Sequence, residues 1–278
     1  MSELIVRRLR IDLETPIPRH WCGGDAFRTA FFNALSMSFP AGEQIFIDAV
    51  KKSVAELPER ERGRWASEVQ GFIGQEATHR RIHERFNAQL ASQGLVNHWE
   101  QRILERRARL LEPTEPRVWA GVTAGTEHWT AIFAQHLLAH PVLLEGTEPR
   151  LADLWRWHSA EELEHRSTAF DLYRAIGGDE EWRRRLFRIV SVNFVVDALR
   201  QTLNNLWHDG TLWRPSTWAS AWRTLFGRAG FVRCGFGAWR SYFRADFHPR
   251  QADGSGGERW LVANAETAPP VRAPAAAA

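Results

Sequence analysis

The chain has 278 residues, 44% hydrophobic and 25% charged. This excludes a disordered polymer and allows one large domain with an appendage. The formal net charge is only +3 although the pI is near 9.3, so the balance calls for no nucleic-acid partner. Two isolated cysteines, Cys22 and Cys234, are too few for a disulfide framework.

The opening MSELIVRRLR holds no apolar run of signal-peptide length, and no stretch approaches the roughly 18 apolar residues of a membrane span. The expected location is the cytoplasm, with peripheral contact at a membrane surface compatible with it. Residues 1–24 read as an irregular segment. Helical periodicity begins after Asp25, a candidate N-cap, and runs to Pro58, with a kink or a division expected at Pro40. A second helix is expected over 59–92, before Gly94, and a shorter charged one over 97–111. The third long helix spans 115–140, closed by Pro141. The fourth spans 148–176, stopped by Gly177 and Gly178.

Alternating strand patterns are nearly absent. Four long helices with short connections make an all-α antiparallel bundle over 25–178. Helical segments over 180–208, 215–227 and 229–245 form a C-terminal extension (179–250). From Glu181 to Arg250 it holds twelve arginines against four acids, with six tryptophans interleaved. That pattern suits a solvated basic face, or else a surface for anionic lipid or a partner. The Gly-, Pro- and Ala-rich stretch 251–278 reads as disordered.

Helix two contains GQEATHRRIH and helix four contains WHSAEELEHR. At about 100° per residue, Glu76, His79 and His83 fall within an arc of roughly 60°, and so do His158, Glu162 and His165. One Glu-x-x-His pair is weak evidence, and two could still be solvated surface pairs. Glu43 in AGEQIFIDAV and Glu127 in VTAGTEHWTAIF strengthen the pattern, because a lone glutamate on an apolar helix face is costly unless paired or bound to metal. The spacing repeats: Glu43 to Glu76 is 33 residues and Glu127 to Glu162 is 35. Each of two helical hairpins thus offers one glutamate and then Glu-x-x-His, the ligand pattern of ferritin-like dinuclear carboxylate proteins.

Such a set suits two divalent metal ions, iron first, with manganese or zinc as alternatives. Four carboxylates also offset the charge of two M²⁺ ions. His158 is either a ligand or a hydrogen-bond donor behind one. His83 and Glu161 are candidates to support the ligands from behind, and Glu161 competes with Glu162 for the inner place. His128, His136, His140 and Tyr173 read as structural.

The layout resembles the bacterial family of predicted metal-dependent hydrolases through QEATH, WHSAEELEHR and the late YFRADFHP, over roughly residues 10–250. The ligand pattern is also similar to that of p-aminobenzoate N-oxygenase, a di-iron enzyme with an extra histidine four residues before its last ligand glutamate. His158 stands in that relation to Glu162. The resemblance implies seven ligands: Glu43, Glu76, His79, Glu127, His158, Glu162 and His165.

The leading expectation is a di-iron oxidoreductase that activates O₂ for an apolar or aromatic small molecule, with Phe46, Phe72, Trp129 and Phe133 as an apolar lining. It would need an electron donor. The alternative is a metal-dependent hydrolase using a hydroxide activated by two metals. A non-enzymatic role in iron handling or at a membrane is the third. Contact with a membrane through the Arg/Trp-rich helices and a homodimer complete the expected partners.

Overall fold

The computed structural model describes residues 4–110 and 115–271. Among the described residues there are ten α-helices and no strand. In chain order they are α1 (Ala26–Glu56), α2 (Glu59–Ser92), α3 (His98–Leu110), α4 (Pro116–Ala139), α5 (Pro149–His165), α6 (Thr168–Ala175), α7 (Glu180–His208), α8 (Pro215–Phe226), α9 (Phe231–Ser241) and α10 (Ser255–Ala263). None is long and apolar enough to cross a membrane.

Local chemistry explains where the helices begin. Asp25 caps α1 by accepting from the Arg28 amide, and Asp179 caps α7 through the Trp182 amide. Proline occupies the first turn of α4, α5 and α8, where its missing N–H costs nothing. Pro40 does not divide α1. It leaves the Ser36 carbonyl without its usual donor four residues on, and the Asn87 side-chain amide on α2 fills that place at 3.0 Å.

Helices α1 and α2 form one hairpin, α4 and α5 a second, and α1 packs on α4. Helix α7 lies against α1 and α4, α8 against α1, and α9 against α4.

Two expectations are corrected. The helix expected over 148–176 ends at His165 and resumes as α6. Arg166 causes the break: it donates to the Leu163 carbonyl, which a continuing helix would use, and to those of Pro249 and Ala252. The stretch given as disordered carries α10, packed on α5. It then pairs with the N-terminal segment, through Arg8 N to Pro269 O at 3.0 Å and Val271 N to Val6 O at 2.8 Å. Residues 272–278 lie outside the described residues, as does the expected helix end at Leu111.

The N-terminal segment is a strap laid along α2. A Cβ at Gly71 would sit 2.7 Å from the Leu4 carbonyl oxygen, and one at Gly74 would sit 2.3 Å from a Val6 methyl. Gly71→Val is therefore expected to push the strap off and cost about 1–3 kcal/mol through overpacking. Gly63, exposed on the same helix with nothing within 4 Å, should behave oppositely: Gly63→Ala should gain about 1 kcal/mol from helix propensity. Thermal denaturation of the two variants checks both signs.

Candidate metal centre

Four helices deliver the seven predicted residues to one place. Helix α1 brings Glu43, α2 brings Glu76 and His79, α4 brings Glu127, and α5 brings His158, Glu162 and His165; all are buried. Donor atoms cluster in overlapping triads: Glu43 with His79 and His158, Glu76 with Glu127 and His165, and Glu76 with His79 and Glu162. His165 Nε2 lies 3.1 Å from Glu76, 3.4 Å from Glu127 and 3.6 Å from Glu162. His158 Nε2 lies 2.9 Å from Glu162 and 3.8 Å from Glu43. Glu76 and Glu162 therefore stand between two half-sites, one around Glu43, His79 and His158, the other around Glu127 and His165.

Buried polar atoms normally find partners. Here both oxygens of Glu43, Glu76 and Glu127, one of Glu162, Nδ1 of His79 and Nε2 of His165 have none. These orphaned atoms are donor types that suit transition-metal ions, so the residues fit a metal. The electrostatics agree. Burial, reinforced by Glu76, holds the Glu43 carboxyl well above its usual range. Burial and then Glu162 push Glu127 up to about 8. Burial opposes charge on His79, but hydrogen bonds to Glu161 and Glu162 outweigh it and raise the ring to about 10. Without cations, this cage holds its carboxylates only by sharing protons.

Each histidine of the cluster is held by its other nitrogen. His79 Nε2 lies 2.9 Å from Glu161, whose second oxygen takes a 3.3 Å contact from Arg7. His165 Nδ1 donates to Gln75 Oε1 at 2.9 Å, and Gln75 donates in turn to Glu164 and to the Ile5 carbonyl. His158 Nδ1 lies 2.7 Å from His83 Nε2, and His83 Nδ1 2.8 Å from the Ser36 hydroxyl. The Ser36 hydroxyl donates to Asn87. Such partners fix the tautomer and ring orientation of metal-bound histidines. The supporting residues Arg7, Gln75, Ser36, Asn87 and Glu164 were missed from sequence. Pro40 was the available signal for one pair, since its freed carbonyl on Ser36 demands a donor.

A cavity of about 40 Å³ adjoins His158 and Glu162. Its walls include Phe39, Phe133, Trp155, Phe194 and Phe231, and among the described residues no lysine or arginine lines it. Of the expected lining only Phe133 takes part. Phe46 and Phe72 pack in the core on the side of α2, with Phe72 4.9 Å from the His165 ring, and Trp129 stacks on Phe194. Trp129 shares the helix face of Phe133 but lies behind Phe194, which takes the place at the cavity wall.

His128 and His136 bond to the carbonyls of Ala238 and Ala229, and Tyr173 to that of Asp179. In YFRADFHP, Tyr242 and Phe247 pack on His128, and Arg183 holds the carbonyls of Tyr242 and Arg244. That segment anchors α4 from outside and contributes nothing to the cage.

An all-helical chain with a buried carboxylate and histidine cage across two hairpins is, as a class, a candidate metal protein. The comparison with protein families is more particular: residues 5–253 match the family described as predicted metal-dependent hydrolase. The chain belongs to that family. No curated protein and no solved structure matches it.

Proposed function

We propose that the chain is a dinuclear metal enzyme of the ferritin-like type that acts on an apolar small molecule. Glu43, Glu76, His79, Glu127, His158, Glu162 and His165 would hold the ions. The observation that carries this reading is the set of buried donor atoms without protein partners. Two such ions supply Lewis acidity, and iron or manganese also supplies redox chemistry. The protein's part is distinct. Four carboxylates balance the cations. The chain His158, His83, Ser36, Asn87 keeps the proton on His158 Nδ1, away from the site. The aromatic cavity excludes water and orients an apolar group beside Glu162.

Hydrolysis agrees better with the family's description. A neutral ester or amide suits it better than a phosphate, because four carboxylates already offset the charge of two ions and no lysine or arginine among the described residues lines the cavity. Oxidation by a di-iron form keeps one observation in its favour. The cage is enclosed and its neighbouring cavity apolar, an arrangement that shelters reactive oxygen chemistry.

Metal analysis of the purified protein, with O₂ uptake by the reduced iron form and ester hydrolysis by the zinc and manganese forms, separates the readings. About two ions per chain are expected. Hydrolysis without O₂ uptake would leave the oxidative reading dead, O₂ uptake without hydrolysis would do the same to the hydrolytic one, and a protein that takes up no metal would refute both.

A further inference from the structure

We propose that His136, His140 and Cys234 form a second, mononuclear site for a zinc-type cation where α4 meets α9. None of the three belongs to the buried cage. His136 and His140 lie one turn apart at the end of α4, with ring centroids 4.3 Å apart. Cys234 stands in the first turn of α9, and each of the three offers a donor atom within 4.8 Å of the other two.

One nitrogen of each ring is already committed, and the Cys234 thiol donates to the Arg228 carbonyl at 3.5 Å. His136 Nε2 lies 3.0 Å from the Ala229 carbonyl and His140 Nδ1 lies 2.9 Å from the His136 carbonyl. A carbonyl oxygen only accepts, so both of these nitrogens carry the proton. The lone pairs are left on His136 Nδ1 and His140 Nε2. A ring N–H on a backbone carbonyl is the usual support of a metal-bound histidine. One thiolate with two imidazoles selects zinc over magnesium or calcium, and a tetrahedral ion would keep one position for water. The Cys234 thiol would give up its proton on binding. Phe231 packs 4.6 Å from His136 and also lines the cavity, so the ion would fasten one cavity wall to α4.

Cobalt substitution tests this in the full-length protein. The cage contains no sulfur, so a near-ultraviolet thiolate-to-cobalt band reports this site alone. The band is expected in the wild type and in Cys22→Ser, and should vanish in Cys234→Ser, with zinc content falling by about one ion per chain. A wild type without the band, or a band that survives in Cys234→Ser, overturns the proposal.

A separate observation concerns the outer surface of α7, α8 and α9 and of the turn that joins α7 to α8. Large apolar side chains stand in solvent there: Trp213 is 79% exposed, Trp222 67%, Val192 64% and Trp207 62%, with Leu199 and Phe236 also exposed. A monomer rarely leaves so much apolar surface uncovered. Arg188, Arg200, Arg223, Arg233 and Arg240 are exposed on the same helices. Three of the four acids of this stretch are committed, Asp197 to Arg102 and Arg106, Asp209 to Arg19, and Asp246 to Arg244, and the fourth, Glu181, stands in the first turn of α7.

We infer that this face docks on an anionic membrane surface. A second copy would set arginines against arginines, whereas acidic headgroups complement them and tryptophan favours the interface. Flotation with vesicles of phosphatidylcholine alone or mixed with phosphatidylglycerol tests it. Binding should need the anionic lipid, weaken with salt, and fall at least about tenfold in Trp213→Ser/Trp222→Ser, as expected from losing two interfacial anchors. The inference fails if the anionic vesicles do not bind, or if sedimentation shows a dimer that the same double variant dissociates. Vesicle binding needs no metal, so it stands or falls apart from the enzyme reading.

Discussion

Glu127→Gln is expected to stabilise the metal-free protein and to weaken the metal-bound one. Both oxygens of Glu127 are buried without a donor, and burial with Glu162 nearby pushes its carboxyl up to about 8. In the unfolded chain the same group ionises in the ordinary carboxylate range near 4.5. A raised folded pKa means that the native state holds a proton the unfolded state has released. The contribution to stability is then full below about pH 4.5 and is lost as the pH rises toward 8. Glutamine removes that dependence, so the metal-free variant should gain on the wild type through this window, by about 1–3 kcal/mol at its upper end, the scale of an uncompensated buried polar group. With metal the order reverses. At roughly a thousandfold excess over its dissociation constant an ion stabilises the wild type by about 4 kcal/mol, and the variant has lost a ligand. Melting curves with and without metal at pH 5 and pH 8 should therefore cross. A variant less stable than the wild type in both states would mean that Glu127 packs the core and does not hold a metal.

The chemistry that makes this trade was legible because helices translate spacing into direction. Glu76 with His79 and Glu162 with His165 face one way whatever lies opposite, and an isolated Glu43 or Glu127 among apolar residues advertises its own cost. Periodicity cannot say what crosses a helix face from far along the chain. Arg7 reaches Glu161 across 154 residues, and Gln75 supports His165 across 90. The end of α5 at His165 depends on Arg166 finding carbonyls at Pro249 and Ala252, in a stretch whose composition argued against order. The cavity lining was misread for a related reason. Phe46, Phe72 and Trp129 are apolar residues near ligands in sequence, but only the packing of α7 and α9 decides which aromatic rings face the open space. Pro40 is the instructive middle case. Its freed carbonyl is predictable, and the donor that answers it, Asn87, also anchors the Ser36 hydroxyl that touches His83.

Arg7→Met should cost more than any of the surface changes and should loosen the metal site as well. The guanidinium is 10% exposed, and it meets Glu161, which is fully buried, at 3.3 Å and Glu164 at 2.7 Å. Removing one partner of a buried pair strands the other charge and costs about 3–5 kcal/mol. Glu161 in turn receives the His79 Nε2 proton at 2.9 Å. A Glu161 side chain released from Arg7 would hold that ring less firmly, and losing such a support typically lowers metal affinity about 10–100-fold. The double variant Arg7→Met/Glu161→Gln separates the two effects. Only Glu164 then lacks a charge partner, and it is 21% exposed and keeps its bond from Gln75, so much of the stability should return, since deleting both members of the buried pair is far gentler than deleting one. Metal affinity should stay low, because His79 would still lack its carboxylate. If the double variant instead recovered affinity along with stability, Arg7 would act only by tying down the strap. If affinity stayed low in both variants, the strap and the metal cage would form one cooperative unit, joined through Glu161.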